Sequence, residues 1–255
     1  MIGYSGGVDS TLLARAATDA LGERAVCVLV DSCLVPRAEI EDAVLRAEEM
    51  GLNLVRIEVD ALAVENVPEN TPDRCYFCKR TVFGTLREIA KERGLPYVLD
   101  GANVDDESDY RPGTKATTEL GVRSPLKELG LTKELVRAMS REIGLVTWNK
   151  ASFACLASRI PYGTPLTCEL LGQVEKAENV LRVLGFEQFR VRHHGDVARI
   201  ELMPLEMERL TSPAVRRHVV REFRNIGYTY VALDLAGYRM GSMNETLGAA
   251  IETEE

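Results

Sequence analysis

The first half of the chain alternates between short apolar runs and longer stretches with helical spacing. Residues 26–30 (Val-Cys-Val-Leu-Val), 54–59 and 97–100 read as short buried strands rich in branched side chains. Amphipathic helices are predicted between and after them, over residues 10–21, 37–50 and 76–93. Pro36 opens the second of these and Gly51 closes it after Met50, while the third ends at Gly94. A further helix is expected from Thr132 to Ile143, closed by Gly144. This β–α alternation predicts an α/β fold, a parallel sheet with helices on both faces.

The second half has a different rhythm. Thr167 can cap a helix running to Leu184, with Gly185 after it. Two alternating stretches follow, Phe189–His193 and Val197–Leu202, joined through His194-Gly195-Asp196 as a hairpin. A helical region, interrupted at Ser212-Pro213, leads to a last strand over Tyr228–Leu235. The order α-β-β-α-β predicts a smaller α+β domain of ferredoxin-like kind. Its boundary is expected in the segment 159–166, which contains Gly and Pro, giving domains of residues 1–160 and 161–255.

A length of 255 residues accommodates one large domain or two modest ones, and 45% hydrophobic with 27% charged residues is ordinary for a globular protein. No apolar run approaches the roughly 18–20 residues needed to span a bilayer, and no signal peptide is visible, so a cytoplasmic protein is expected. The formal charge of −8 opposes a large nucleic-acid partner and favours a small molecule. In a reducing compartment, clustering among the six cysteines points to metal or catalysis rather than disulfides.

The strongest local chemistry lies in Ser5-Gly6-Gly7-Val8-Asp9-Ser10. Two glycines after a strand let the backbone approach a polyphosphate, and successive N–H groups point at its oxygens. Ser5 and Ser10 add hydroxyl donors, the helix near Ser10 offers its positive end, and Asp9 supplies an oxygen ligand suited to Mg²⁺. A lone Gly-Gly pair would more often be a helix-capping turn, but the whole hexapeptide at a strand–helix junction favours phosphate binding. No Gly-Lys-Ser/Thr follows, which favours cleavage of ATP to AMP and pyrophosphate over γ-phosphate transfer.

The hexapeptide resembles the PP-loop of the N-type ATP pyrophosphatases, which include GMP, NAD and asparagine synthetases and tRNA thiolases. Further motifs follow: Arg74-Cys75-Tyr76-Phe77-Cys78-Lys79, Asp100-Gly101-Ala102-Asn103-Val104-Asp105-Asp106, Asp109-Tyr110-Arg111-Pro112-Gly113 and Gly121-Val122-Arg123-Ser124-Pro125-Leu126. Later come Cys155-Leu156-Ala157-Ser158-Arg159-Ile160-Pro161-Tyr162-Gly163, Arg192-His193-His194-Gly195 and Gly237-Tyr238-Arg239-Met240-Gly241-Ser242-Met243-Asn244. Together, from Ser5 to about Asn244, they resemble the LarE family, the ATP-dependent sulfur transferases of nickel-pincer nucleotide cofactor synthesis. Two departures stand out. Only four residues precede the loop, so the first strand is expected to be short and an amino-terminal helix to be missing. Ala151 stands where the family tends to have Pro after Trp148-Asn149-Lys150.

The resemblance implies adenylylation of a carboxylate on a pyridinium dicarboxylate mononucleotide, with ATP and Mg²⁺, followed by sulfur transfer to give a thiocarboxylate. It also implies a homo-oligomer. On residues alone, Cys75 and Cys78, three apart at a helix start, are core residues or half of a metal site, and Cys155 could be a small buried hydrophobe. Within the resemblance, Cys155 matches the cysteine that some members sacrifice as sulfur donor. Members with the added pair use three cysteines for an iron–sulfur cluster, so Cys75, Cys78 and Cys155 are expected to hold a 4Fe-4S cluster. Zinc, with Cys168 or a histidine as fourth ligand, is the competing reading.

Arg192 and Arg239 lie within family motifs and are the candidates for the substrate phosphate, ahead of Arg190. Asn103 and Asp105 are expected to line the nucleotide site, with Asp106 as a turn cap. Glu119 is either an active-site carboxylate or an exposed helical charge, one of His193 and His194 is expected to face solvent, and Cys27 and Cys33 read as packing. Two other function classes stay open. One is an amide-forming synthetase or tRNA thiolase, for which the chain shows no glutaminase domain and no basic stretch; the other is a nucleotide or metal sensor.

Overall fold

A computed structural model describes residues 1–107, 112–151, 153–239 and 241–245. Asp109, Tyr110 and Arg111 of one motif and Met240 of another lie outside the described residues. The chain divides into two compact units, Met1–Phe153 and Ala154–Glu255.

The first unit contains β1 (Ile2–Tyr4), α1 (Val8–Leu21), β2 (Val26–Asp31), α2 (Arg37–Glu49), β3 (Asn53–Glu58) and α3 (Arg74–Glu92). Three more helices follow: α4 (Pro112–Glu119), α5 (Pro125–Glu128) and α6 (Lys133–Glu142). The three strands form a parallel sheet with β2 in the centre, Cys27 lying opposite both Ile2 and Leu54. Burial on both faces explains why β2 is a continuous apolar run. Cys27 and Leu29 pack with Leu13 of α1 and Ile40, Ala43 and Ala47 of α2, while Val26 and Val28 pack on the other side with Phe83, Leu86 and Ala90 of α3. Cys27 is thus a packing residue, and burial pushes its thiol up to about 11.

Two of the strand expectations change. Residues 97–100 pair as a strand would, but only by single parallel bridges from Leu99 to Ile2 and to Arg123. Pro96 has no N–H to extend the ladder, and Gly101 passes directly against α1, so little length remains. Strand β3 is half exposed rather than buried because it forms the sheet edge, where Asn53 and Glu58 face water. The lateral order is therefore β3, β2, β1, the Leu99 segment, then Arg123. The chain reverses its direction of travel between β1 and Leu99, and in open parallel sheets ligands bind beyond the carboxyl ends of strands at such a point.

The second unit contains α7 (Cys168–Val183), β4 (Phe189–His194), β5 (Val197–Leu202), α8 (Met207–Thr211), α9 (Pro213–Ile226) and β6 (Tyr230–Leu233). Thr167 caps α7 by accepting a hydrogen bond from the Leu170 N–H at 3.2 Å. Alternation along the hairpin sends Phe189, Val191, Ala198, Ile200 and Leu202 into a core with Leu181 of α7 and Phe223 of α9. Arg190, Arg192, Arg199 and Glu201 occupy the alternate positions of β4 and β5. Strand β6 is adjacent and parallel to β5. The helices between them make a simple β-α-β crossover, so the sheet differs from the split arrangement of the expected ferredoxin-like fold.

Residues 154–160 fold with this second unit, so the division falls before the expected segment 159–166. The cause is Arg159. Its side chain is 1% exposed and its Nε donates to Glu178 of α7 at 2.9 Å, while its Nη1 donates to the carbonyls of Ala154 and Cys155 at 2.6 and 3.2 Å. Leu156, Ala157 and Ile160 are buried beside it. Among the described residues no helix is long and apolar enough to cross a membrane.

Glu178 also accepts the Val191 N–H at 3.1 Å, tying α7 to β4. Glu178→Leu leaves a buried guanidinium and a buried backbone donor without this acceptor, which should cost about 3–5 kcal/mol. Hydrogen exchange of the amides of residues 189–202 should accelerate accordingly; unchanged protection would show that the ion pair does not hold the unit.

Candidate active site

The loop after β1 and the loop after Leu99 meet at the point where the sheet reverses. Gly6 has φ +69°, a conformation L side chains rarely adopt, and a Cβ there would lie 2.7 Å from the Ala43 Cβ of α2. Gly7 heads α1 and has no side chain to cap it. The first N–H groups of the helix are thus left for an anion. Ser10 closes the loop from inside: its Oγ accepts the Ser5 N–H at 3.2 Å, lies 3.0 Å from the Ser5 Oγ, and donates to the Gly7 carbonyl at 3.2 Å.

The second loop is held to the first through Asp9. Asn103 is 3% exposed, and its Nδ2 donates to Asp9 Oδ1 at 2.9 Å. Its Oδ1 accepts the Asp105 N–H at 2.9 Å, and its own N–H donates to Asp106 Oδ2 at 3.0 Å, so Asp106 caps the turn. Asp105 accepts the Lys133 N–H at the start of α6 at 2.7 Å. The Lys133 ammonium returns to Asp9 Oδ2 in a short ion pair. The structure therefore brings Ser5, Gly6, Gly7, Asp9, Ser10, Asn103 and Asp105 together, as an anion cradle next to a carboxylate suited to a hard cation.

Two lysines escaped the sequence reading. Lys133 reads as an ordinary first-turn helix charge, and only the fold shows its ammonium on Asp9. Lys150 lies with its Nζ 2.8 Å from Asp42 Oδ2, 2.9 Å from Glu39 Oε2 and 3.3 Å from the Gly6 carbonyl oxygen. Its place after Trp148-Asn149 in a motif-like run was the available signal.

Cys75 and Cys78 sit at the start of α3, three residues apart and so on one side of the helix. Lys79 packs beneath Gly113 of α4, where a Cβ would lie 2.6 Å from the Lys79 Cδ. Glu119 is at the exposed end of α4 and accepts a hydrogen bond from the Tyr76 hydroxyl at 2.7 Å. A cluster or zinc ion needs three or four thiolate or imidazole donors. The pair in α3 offers two thiols from one turn, a donor chemistry that fits either. Cys75 and Cys78 lie in the first unit and Cys155 in the second; among the described residues no group of three His, Cys, Asp or Glu side chains is placed to hold a metal ion. Cys155 heads the second unit, its backbone carbonyl fixed by Arg159.

The arginines of the second unit are already engaged. Arg192 is 7% exposed; its Nε and Nη2 bind Glu201 at 3.0 and 2.8 Å, Nη2 also meets Ser242 Oγ at 2.7 Å, and Nη1 donates to the Ser158 carbonyl at 2.6 Å. Arg239 is more open and pairs with Glu245. Arg190 is buried over the Tyr238 ring, and burial first, then the Arg159 charge, lowers its pKa. His193 is buried with Nδ1 3.3 Å from the Tyr228 hydroxyl, whereas His194 is the exposed one. Burial lowers the pKa of both imidazoles.

Comparison with known proteins agrees with this geometry. A family model for NAD synthase matches residues 1–75, the span that contains the first loop. The chain is 42% identical over 250 residues to the pyridinium-3,5-bisthiocarboxylic acid mononucleotide synthase of Lactiplantibacillus plantarum, covering 98% of this chain and 90% of that protein. It is 43% identical to an uncharacterized protein of Synechocystis over 97% of this chain and 92% of the other. A glutamine-hydrolyzing GMP synthase of Aeromonas salmonicida is 28% identical over 69% of this chain and 36% of its own length.

A Cβ on Gly101 would lie 2.9 Å from the Ser10 nitrogen and 3.1 Å from its Cα, against helix backbone that cannot rotate away. Gly101→Ala should therefore destabilise the first unit by about 1–3 kcal/mol. The single tryptophan, Trp148, belongs to that unit and reports its denaturant midpoint. An unchanged midpoint would mean that the two loops are not in tight contact.

Proposed function

Because the chain belongs to the family of the pyridinium-3,5-bisthiocarboxylic acid mononucleotide synthase, we propose that it adenylylates a carboxylate of a pyridinium dicarboxylate mononucleotide with ATP and then exchanges AMP for sulfur. The observation that carries this reading is the cradle of Ser5, Gly6, Gly7 and Ser10 closed onto Asp9 by Asn103 and Lys133. A carboxylate is a poor acyl donor until its oxygen becomes a good leaving group. Attack of that oxygen on the α-phosphorus releases pyrophosphate and forms an acyl-adenylate. A sulfur nucleophile then adds to the carbonyl, AMP departs, and a thiocarboxylate follows.

The roles of the residues follow from their placement. Loop N–H groups and the start of α1 hold the polyphosphate and stabilise charge on the departing pyrophosphate. Asp9 would hold Mg²⁺, and Lys133, beside it, would offer positive charge to the departing pyrophosphate; Asn103 and Asp105 fix both. Arg239 is assigned to the substrate phosphate, since its fork is engaged by an exposed glutamate that an anion can replace. Arg192, spent on Glu201 and Ser242, shapes that face and has at most one N–H left for the phosphate. Cys75, Cys78 and Cys155 are assigned as thiolate ligands of a 4Fe-4S cluster. Such a cluster, if bound by these thiolates, would supply sulfur for the transfer. The second reading makes Cys155 itself the donor; it stands at the head of the second unit with its carbonyl held by Arg159.

Three outcomes test these assignments. Pyrophosphate release from ATP should require the dicarboxylate mononucleotide, its product should gain sulfur by mass, and Asp9→Ala should abolish release; release at the parent rate would remove the loop from the reaction. Arg239→Ala should raise KM for the mononucleotide about tenfold with little change for ATP, as loss of one charge-assisted contact predicts. For the sulfur source, Cys75→Ala, Cys78→Ala and Cys155→Ala should each remove iron–sulfur absorption and activity together. A polypeptide that loses the mass of hydrogen sulfide after one turnover, leaving dehydroalanine at position 155, would instead establish the sacrificial reading.

A further inference from the structure

Lys150 is delivered to the first loop from the far end of the first unit, and its surroundings are built to keep it there. On α6, the Arg137 guanidinium donates to the carbonyl of Trp148 at 2.8 Å and to that of Lys150 at 2.9 Å. Arg141, one turn further along α6, stacks over the Trp148 ring at 5.0 Å. The backbone of the segment is thus fixed by α6, and the side chain is aimed at α2. There, burial alone would lower the pKa of the ammonium, but Asp42 and Glu39 outweigh it and leave it raised. Burial pushes Asp42 the other way, and Lys150 and Arg46 together bring it below its ordinary value. The site therefore favours the charged form of Lys150.

The third partner of that charge is the Gly6 carbonyl at 3.3 Å. In a trans peptide the carbonyl and the next N–H point in opposite directions. Fixing the Gly6 oxygen toward Lys150 and α2 therefore fixes the Gly7 N–H away from them. Neither glycine can set this orientation alone, because glycine backbone samples both signs of φ freely. A side chain at Gly6 would meet Ala43, so no residue with a narrower choice of φ can take its place.

We propose that Lys150 is a positioning residue of the pyrophosphate-binding loop: it orients the Gly6–Gly7 peptide so that the Gly7 N–H faces the polyphosphate. Lys150 touches neither substrate. The inference rests on the reading of this loop as the ATP site.

Titration calorimetry with inorganic pyrophosphate and, separately, with adenosine tests it on the parent and on Lys150→Met and Lys150→Arg. The methionine variant should bind pyrophosphate about tenfold more weakly, the effect of one charge-assisted hydrogen bond, and adenosine with unchanged affinity. Arginine should restore most of the loss, and KM for ATP should rise while KM for the mononucleotide stays. Equal weakening toward both ligands would reduce Lys150 to a structural brace, and unchanged pyrophosphate affinity would also overturn the proposal. Should the methionine variant not fold, Asp42→Asn, which loosens Lys150 without removing it, should give the same selective loss. A parent that binds adenosine but no pyrophosphate would refute the ATP reading itself, and this role with it.

Discussion

The close approach of two backbones governs the site. Gly101 passes so near the first turn of α1 that a methyl group there would contact the Ser10 nitrogen at 2.9 Å. That contact sets the distance between the loop that follows β1 and the loop that follows Leu99. Asn103 can then reach Asp9 at 2.9 Å, and Lys133 can reach the other oxygen of the same carboxylate. Asp9 is held in a defined rotamer by two donors before any cation arrives, which lowers the ordering cost of binding one.

Charge placement distinguishes the two units. In the first, ammonium groups from Lys133 and Lys150 converge on the phosphate loop and its supports, within a chain whose net charge is −8. Near this loop the local field is set by two lysines and the helix end rather than by the total charge. In the second unit, Arg159 with Glu178 and Arg192 with Glu201 are nearly removed from water. Such pairs add little net stability over apolar substitutes. Their value here is positional: Arg159 fixes the carbonyl of Cys155 and Arg192 that of Ser158, so the segment carrying Cys155 is held at two points.

These features bear on the competing readings. An amide-forming synthetase and a tRNA thiolase would share the phosphate loop, and the GMP synthase relative matches 69% of this chain. What they would not share is near full-length similarity to a mononucleotide synthase, which covers 98% of this chain and so extends through the second unit.

The sequence alone determined the parallel α/β class, the helix limits and the phosphate loop, because these follow from periodicity, capping residues and a contiguous hexapeptide. Gly51, Gly94 and Gly144 each stop a helix by taking positive φ, a local event that needs no tertiary context. Tertiary structure alone decided the rest. Residues 97–100 look like a strand, but their pairing is limited by neighbours far away in sequence. The Leu-Ala-Ser-Arg segment looks like the end of the first domain, and a single buried ion pair to Glu178 assigns it to the second. Arg192 carries no sequence mark of its ion pair with Glu201, which pairs with Arg190 across the hairpin and so lies diagonally from Arg192. Lys133 carries no local mark of function and Lys150 only its place after Trp148-Asn149, since a lysine's role depends on which acceptor its long side chain reaches. That partner is chosen by contacts 124 and 144 residues apart in the chain.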